Sequence, residues 1–140
     1  MSPEDSTSLE DNGEPSEHIQ LLRLLREGGK DVLAERMGIH WLEASPQRLV
    51  ATMPVAGNTQ PYGLLHGGAS CVLAETLGSV GAILHAGQHA TAVGVEINAT
   101  HHRAVAQGLV TGVATPLHLG RTIATYEIAI MDEQDRRTCT

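Results

Sequence analysis

The stretch LLHGGASCVLAETLGSVGAILHA, residues 64 to 86, limits what this chain can fold into more than any other part of it. From about residue 67 to 86, Val72, Leu73, Leu77, Val80, Ile83 and Leu84 fall on several faces of a helix, and a helix apolar nearly all round is a buried one. The rest of the chain must cover it. The residues available for that purpose are β-like: ATAVGVEINA (90 to 99), QGLVTGVA (107 to 114), RTIATYEIAIM (121 to 131) and, after a DEQD turn, a strand that starts near Arg136 and is still running at Thr140. Upstream, Ile39 to Val55 reads as a hairpin turning at Ser45-Pro46, and GNTQPYG (57 to 63) reads as a loop. Strands that follow one another through short turns make an antiparallel sheet, so the expected class is α+β, one long helix against one sheet. A single sheet covers only one side of such a helix, which predicts association with a second copy.

Before this unit, HIQLLRLLRE (18 to 27) reads as a short amphipathic helix stopped by Gly28-Gly29. DVLAERMG reads as one or two further turns, with Asp31 as N-cap and Gly38 at the end. Residues 1 to 17 are different in kind. They hold six acids, Glu4, Asp5, Glu10, Asp11, Glu14 and Glu17, with no Lys or Arg, and almost nothing to bury. We read them as a disordered acidic tail preceding one domain over 18 to 140. Taking these six acids away from the formal charge of -7 leaves the folded part at about -1. That balance argues against nucleic acid, as does the near absence of rings: there is no Phe, and only Trp41, Tyr62 and Tyr126. The start of the chain lacks the basic and apolar run of a signal peptide. No stretch is expected to reach the roughly 18 to 20 uninterrupted apolar residues of a membrane span, so no membrane partner and a cytoplasmic location are expected. Cys71 and Cys139 are expected to be buried, reduced thiols.

One residue contradicts the apolar helix. Between Glu43 and Asp132 the only acids are Glu75, Glu96 and Glu127, and the last two sit in alternating strands where they can face water. Glu75 sits on the helix meant for the core. An unpaired buried charge costs several kcal/mol, so it needs a partner, water or a function. An exposed helix side or an ion pair between subunits would be the structural explanation. Its neighbours suggest chemistry instead: Gly78 and Ser79 lie one turn on, leaving room and a hydroxyl beside the carboxylate. At the helix opening, His66-Gly67-Gly68 presents free amides and the positive end of the dipole to developing negative charge. Gly67 and Glu75 are about 12 Å apart along one helix, too far to touch one atom. One subunit would therefore supply the amides and its neighbour the carboxylate.

The segments QPYGLLHGGASCVLAETLGSVGA, VGVEINATHHRAV and GVATPLHLGRT resemble, in order, the hotdog-fold acyl-CoA thioesterases. The branch is that of the Arthrobacter-type 4-hydroxybenzoyl-CoA thioesterases and PaaI-like proteins. The similarity is strongest to 1,4-dihydroxy-2-naphthoyl-CoA thioesterases of menaquinone biosynthesis, and it covers about residues 38 to 140. It implies a central helix wrapped by the sheet, sheets joined edge to edge in a homodimer, dimers paired into a tetramer, and hydrolysis of an aromatic acyl-CoA without a cofactor, CoA being part of the substrate. It also implies roles: Glu75 as nucleophile or general base, Gly67 as the amide that polarises the thioester, Gln60 and His66 beside it, and Ser79 holding the nucleophile or water. Arg103 and Arg121, the only Lys or Arg between Arg48 and Arg136, are candidates for CoA phosphates, with His89, His101, His102, His118 and Gly120 as weaker ones.

Other readings of these residues are poorer. An HGG turn also serves esterases with a GxSxG elbow, and that elbow is absent. Cys71 lies on an apolar helix, where a thiol is inert. His85 with His89, or His101-His102, could suggest a metal, but no HExxH or cysteine set accompanies them, and no metal is expected. A non-hydrolytic acyl-CoA-binding module on the same fold, a broad-range housekeeping thioesterase and, more distantly, a hydratase remain as alternatives.

Overall fold

The computed structural model describes Arg23 and residues 32–88 and 90–140. The acidic tail, Asp31, His89 and, apart from Arg23, the helix expected over 18 to 27 lie outside these residues. In chain order the elements are α1 (Leu33–Arg36), β1 (His40–Ser45), β2 (Arg48–Pro54), α2 (Gly67–Ala86), β3 (Leu109–Leu119), β4 (Ala124–Met131) and β5 (Arg137–Cys139). The five strands form one antiparallel sheet in the order β1-β2-β3-β4-β5, with α2 against one face. The short helix is a single turn whose N-cap position is Val32, with no side-chain cap. Gly38 follows it at φ 75°, the left-handed geometry that ends helices.

The seating of α2 explains its composition. Leu73, Leu77 and Val80 follow i, i+4, i+7 and are buried, along with Ala69, Ala74 and Gly81, against Leu49, Ala51 and Met53 of β2, Val110 and Ala114 of β3 and Ile130 of β4. Gly112 allows the close approach: a Cβ there would lie 2.6 Å from Leu77 Cδ1. By length and composition α2 does reach the range of a membrane span, correcting the expectation that no segment would. Its small residues keep it apolar on average even though Glu75 interrupts it, and in this fold that apolar surface is spent on the sheet. The opposite stripe, Gly67, Cys71, Glu75 and Ser79 at successive i+4 positions, is only half-buried, as expected where one sheet covers one side. Cys71 is thus half-buried rather than a core thiol, whereas Cys139 is buried. Burial and the neighbouring Cys71 push the Cys139 thiol above its ordinary range.

The expected strand over 90 to 99 is not one. The chain meets β5 at Thr100, whose N–H donates to the Thr140 carbonyl at 2.8 Å and whose carbonyl accepts from Thr140 N–H at 3.0 Å. This ladder runs antiparallel, so residues before Thr100 lie beyond its last rung and have no sheet partner among the described residues. Three strands, not four, therefore follow α2. Exposure does not alternate here either: residues 93 to 98 are all exposed, with Val93 and Val95 at 81% and 82%.

β3 runs past the expected end at Ala114 to Leu119 even though it contains Pro116. β2 accompanies β3 only as far as the Leu49–Ala114 pair, so the missing Pro116 N–H costs no rung on that side. On the β4 side the register shifts between Pro116 and His118, leaving Leu117 bulged and exposed. The expected hairpin is present, its Ser45 Oγ accepting from Arg48 N–H at 3.1 Å, and Glu43 and Arg48 pair beside it. Between β4 and β5, buried Asp132 organises the expected DEQD turn. Burial alone would raise its carboxyl. Donors from the Arg136 side chain and the Arg136 and Gln134 amides outweigh this and hold it below the usual carboxylate range.

Candidate active site

The loop before α2 is tied down at several points, and this fixes the helix opening. Asn58 Nδ2 donates to the carbonyls of Met37 and Pro54, both at 2.8 Å, and the Asn58 carbonyl accepts from His66 N–H at 2.9 Å. Gln60 N–H donates to Leu64 O at 2.8 Å, and Leu65 N–H to Val105 O at 2.7 Å. The helix then opens with His66 as N-cap: its backbone is extended and its Nδ1 accepts from Gly68 N–H at 2.8 Å. His66 therefore satisfies one amide of its own first turn. The Gly67 N–H has no acceptor among the described residues, so a donor at the positive end of a 20-residue helix is left for another group.

That amide faces a groove of about 400 Å³ whose walls include Gln60, Leu65, Gly67, Ser70, His101 and Arg103. The imidazole of His101 lies directly over Gly67; a Cβ on Gly67 would come within 2.9 Å of His101 Nε2. Of the expected site residues, Gln60, Gly67 and Arg103 are thus brought together, with His66 adjoining as the cap. A carbonyl oxygen in this groove would meet a dipole end, an amide donor and a carboxamide.

Glu75 and Ser79 form a second cluster. Ser79 Oγ donates to Glu75 Oε1 at 3.2 Å, across one helical turn. The carboxylate is half-buried and does not line the groove around Gly67. Eight residues of helix, about 12 Å, separate the two within the chain. Across the stripe from Glu75 lies Gly94, so close that a Cβ there would fall 2.2 Å from Oε1. Sequence reading did not single out Gly94. The available signal was a glycine between Val93 and Val95, at an odd place in a run of strand-like residues.

The remaining candidates for binding CoA phosphates are not brought together within one chain. Arg103, with His102, stands at the N-terminal end of α2, where His102 Nε2 is 2.9 Å from Thr140 Oγ1. His118, Gly120 and Arg121 lie at the β3–β4 turn by the other end of the helix. There His85 Nε2 donates to Gly120 O at 2.9 Å, and the His118 ring packs over Gly120. His89 is outside the described residues. Among the described residues no three His, Cys, Asp or Glu side chains gather where they could hold a metal ion.

With this geometry in view, the comparisons with known proteins are specific. Residues 62–139 match the thioesterase superfamily, a span that includes the helix, the Glu75 cluster and every wall of the groove except Gln60. The chain is 55% identical over 109 residues to the proofreading thioesterase EntH of Cronobacter turicensis, covering 77% of this chain and 80% of that protein. Among solved structures, the thioesterase HI1161 of Haemophilus influenzae superposes with a TM-score of 0.78 at 39% identity, covering 84% of this chain and 83% of the other. A variant of the thioesterase PA1618 of Pseudomonas aeruginosa gives 0.77 at 38% identity, covering 84% and 86%. The five-stranded antiparallel sheet holding one long helix is the hotdog fold of these proteins, and the chain belongs to the thioesterase superfamily as a thioester hydrolase.

Proposed function

We propose that the chain hydrolyses an acyl-CoA with an aromatic acyl group to the free acid and CoA, acting as a homodimer in which each site takes the helix opening from one subunit and Glu75 from the other. The observation that carries this is the Glu75 carboxylate, held by Ser79 on the half-buried stripe of α2 and out of reach of its own chain's groove. The thioester carbonyl oxygen rests against the Gly67 amide and the Gln60 side chain. Glu75 then either attacks the carbonyl carbon to give a mixed anhydride that water later opens, or takes the proton from a water that attacks directly. In both courses the tetrahedral oxyanion is stabilised by the amide and the helix dipole. The C–S bond then breaks, and the sulfur leaves as thiolate. A thiol with a pKa of roughly 8.5 needs little help from an acid, which suits a site whose only carboxylate is already engaged. Arg103, a lining residue of the same groove, would meet a phosphate of the CoA portion. The tetramer, the cytoplasmic location and a menaquinone-pathway substrate belong to this reading as its finer parts.

A second reading is favoured by the 55% identity to a proofreading thioesterase: clearance of many wrongly formed thioesters rather than one pathway step. A substrate panel decides. Under the first reading benzoyl-, hydroxybenzoyl- and dihydroxynaphthoyl-CoA exceed straight-chain acyl-CoAs in kcat/KM by about tenfold or more, with dihydroxynaphthoyl-CoA highest. A profile flat across aromatic and aliphatic esters favours proofreading. A clear preference for fatty acyl chains overturns the aromatic part.

A further inference from the structure

We propose that Gly94 is a positioning residue for the reacting carboxylate: the missing side chain at 94 is the seat of Glu75 Oε1. This rests on the reading of Glu75 as the group that attacks or activates water. Oε1 is the oxygen that accepts from Ser79 Oγ at 3.2 Å, and it lies 2.2 Å from where a Cβ on Gly94 would be, with the Glu75 carboxyl carbon at 3.2 Å. The carboxylate is thus confined on two sides, by the Ser79 hydroxyl from its own helix and by the bare Cα of Gly94 from the segment crossing above. The three heavy atoms nearest a Cβ at position 94 all belong to the Glu75 carboxylate, so this position faces the helix within a segment, 93 to 98, that is exposed throughout. Its backbone conformation does not require glycine, since Gly94 is absent from the residues with positive φ. The glycine is explained by space alone.

The group a methyl would strike is the end of a flexible side chain, not backbone. Something must move, and what moves most easily is the carboxylate, pushed away from Ser79, while the fold stays in place. A displacement of about 1 Å at a reacting group is enough to cost up to about a hundredfold in rate. G94A is therefore expected to lower kcat for thioester hydrolysis about 30-fold or more, with KM changed less than about threefold and the thermal midpoint nearly unchanged. Shortening the acid provides the rescue. In the E75D background the carboxylate is withdrawn by one methylene, and the same G94A change is expected to cost less than about threefold.

All four full-length chains, wild type, G94A, E75D and the double variant, are compared by kcat, KM and thermal unfolding. A G94A penalty of equal size in both backgrounds overturns the proposal, because it would mean a general structural effect. If G94A alone does not fold, the proposal requires E75D to restore folding in that background, and failure to do so overturns it. E75Q separates this inference from the reading beneath it. If E75Q abolishes turnover and G94A leaves kcat intact, only the role of Gly94 falls; if E75Q retains wild-type kcat, both fall.

Discussion

Replacing Glu75 by Gln is expected to lower kcat about a thousandfold or more while leaving KM within a few-fold of wild type and the unfolding midpoint unchanged. Gln keeps the shape of the side chain and can still accept from Ser79 Oγ, so the packing of α2 against the sheet is undisturbed. What it loses is the negative charge and the basic oxygen. A nucleophile cannot form an anhydride through an amide, and a carboxamide cannot take a proton from water, so either course fails at the same step. A thousandfold corresponds to about 4 kcal/mol of transition-state stabilisation, within what one base or nucleophile supplies. A rise in KM with kcat intact would mean that Glu75 binds rather than reacts. The readout is thiol release from an aroyl-CoA at saturating substrate.

The second large effect concerns stability. Leu77→Ala is expected to cost about 3 to 5 kcal/mol in urea unfolding at fixed protein concentration. Leu77 is fully buried at the centre of the contact between α2 and the sheet, and its Cδ1 fills the space above Gly112. Because Gly112 opposite it has no side chain to move in, the cavity has little means of collapsing. That loss is a large share of the roughly 5 to 15 kcal/mol by which a domain is stable. A cost below 1 kcal/mol would mean the helix is not seated as described.

The parts of the fold that were legible in the sequence are those set by local pattern. The bounds of α2 follow from a turn of His and two glycines at one end and Gly87 at the other, and the hairpin of β1 and β2 from a Ser-Pro turn between two apolar runs. Glu75 stood out because a charge in an apolar helix conflicts with its surroundings. What the sequence could not carry was pairing. Residues 90 to 99 have strand alternation, yet alternation does not say whether a neighbouring strand exists, and the ladder with β5 reaches only to Thr100. The expected strand over 107 to 114 ended two residues before Pro116. Only the register shows that the β2 side is vacant there and tolerates it. Gly94 was not singled out, because the atom that requires it comes from a helix some twenty residues upstream.

The central claim, a site completed by two copies, is tested most directly by mixing two defective chains. One carries E75Q and keeps its helix opening; the other carries Q60A and G67A and keeps its carboxylate. Each alone is expected to be nearly inactive. Co-refolded in equal amounts, half of the dimers are hybrids in which one of the two sites has every group intact, so about a quarter of wild-type activity should return. Activity that stays at the sum of the two parents, in a sample where tagged chains show that hybrids have formed, would contradict the shared site.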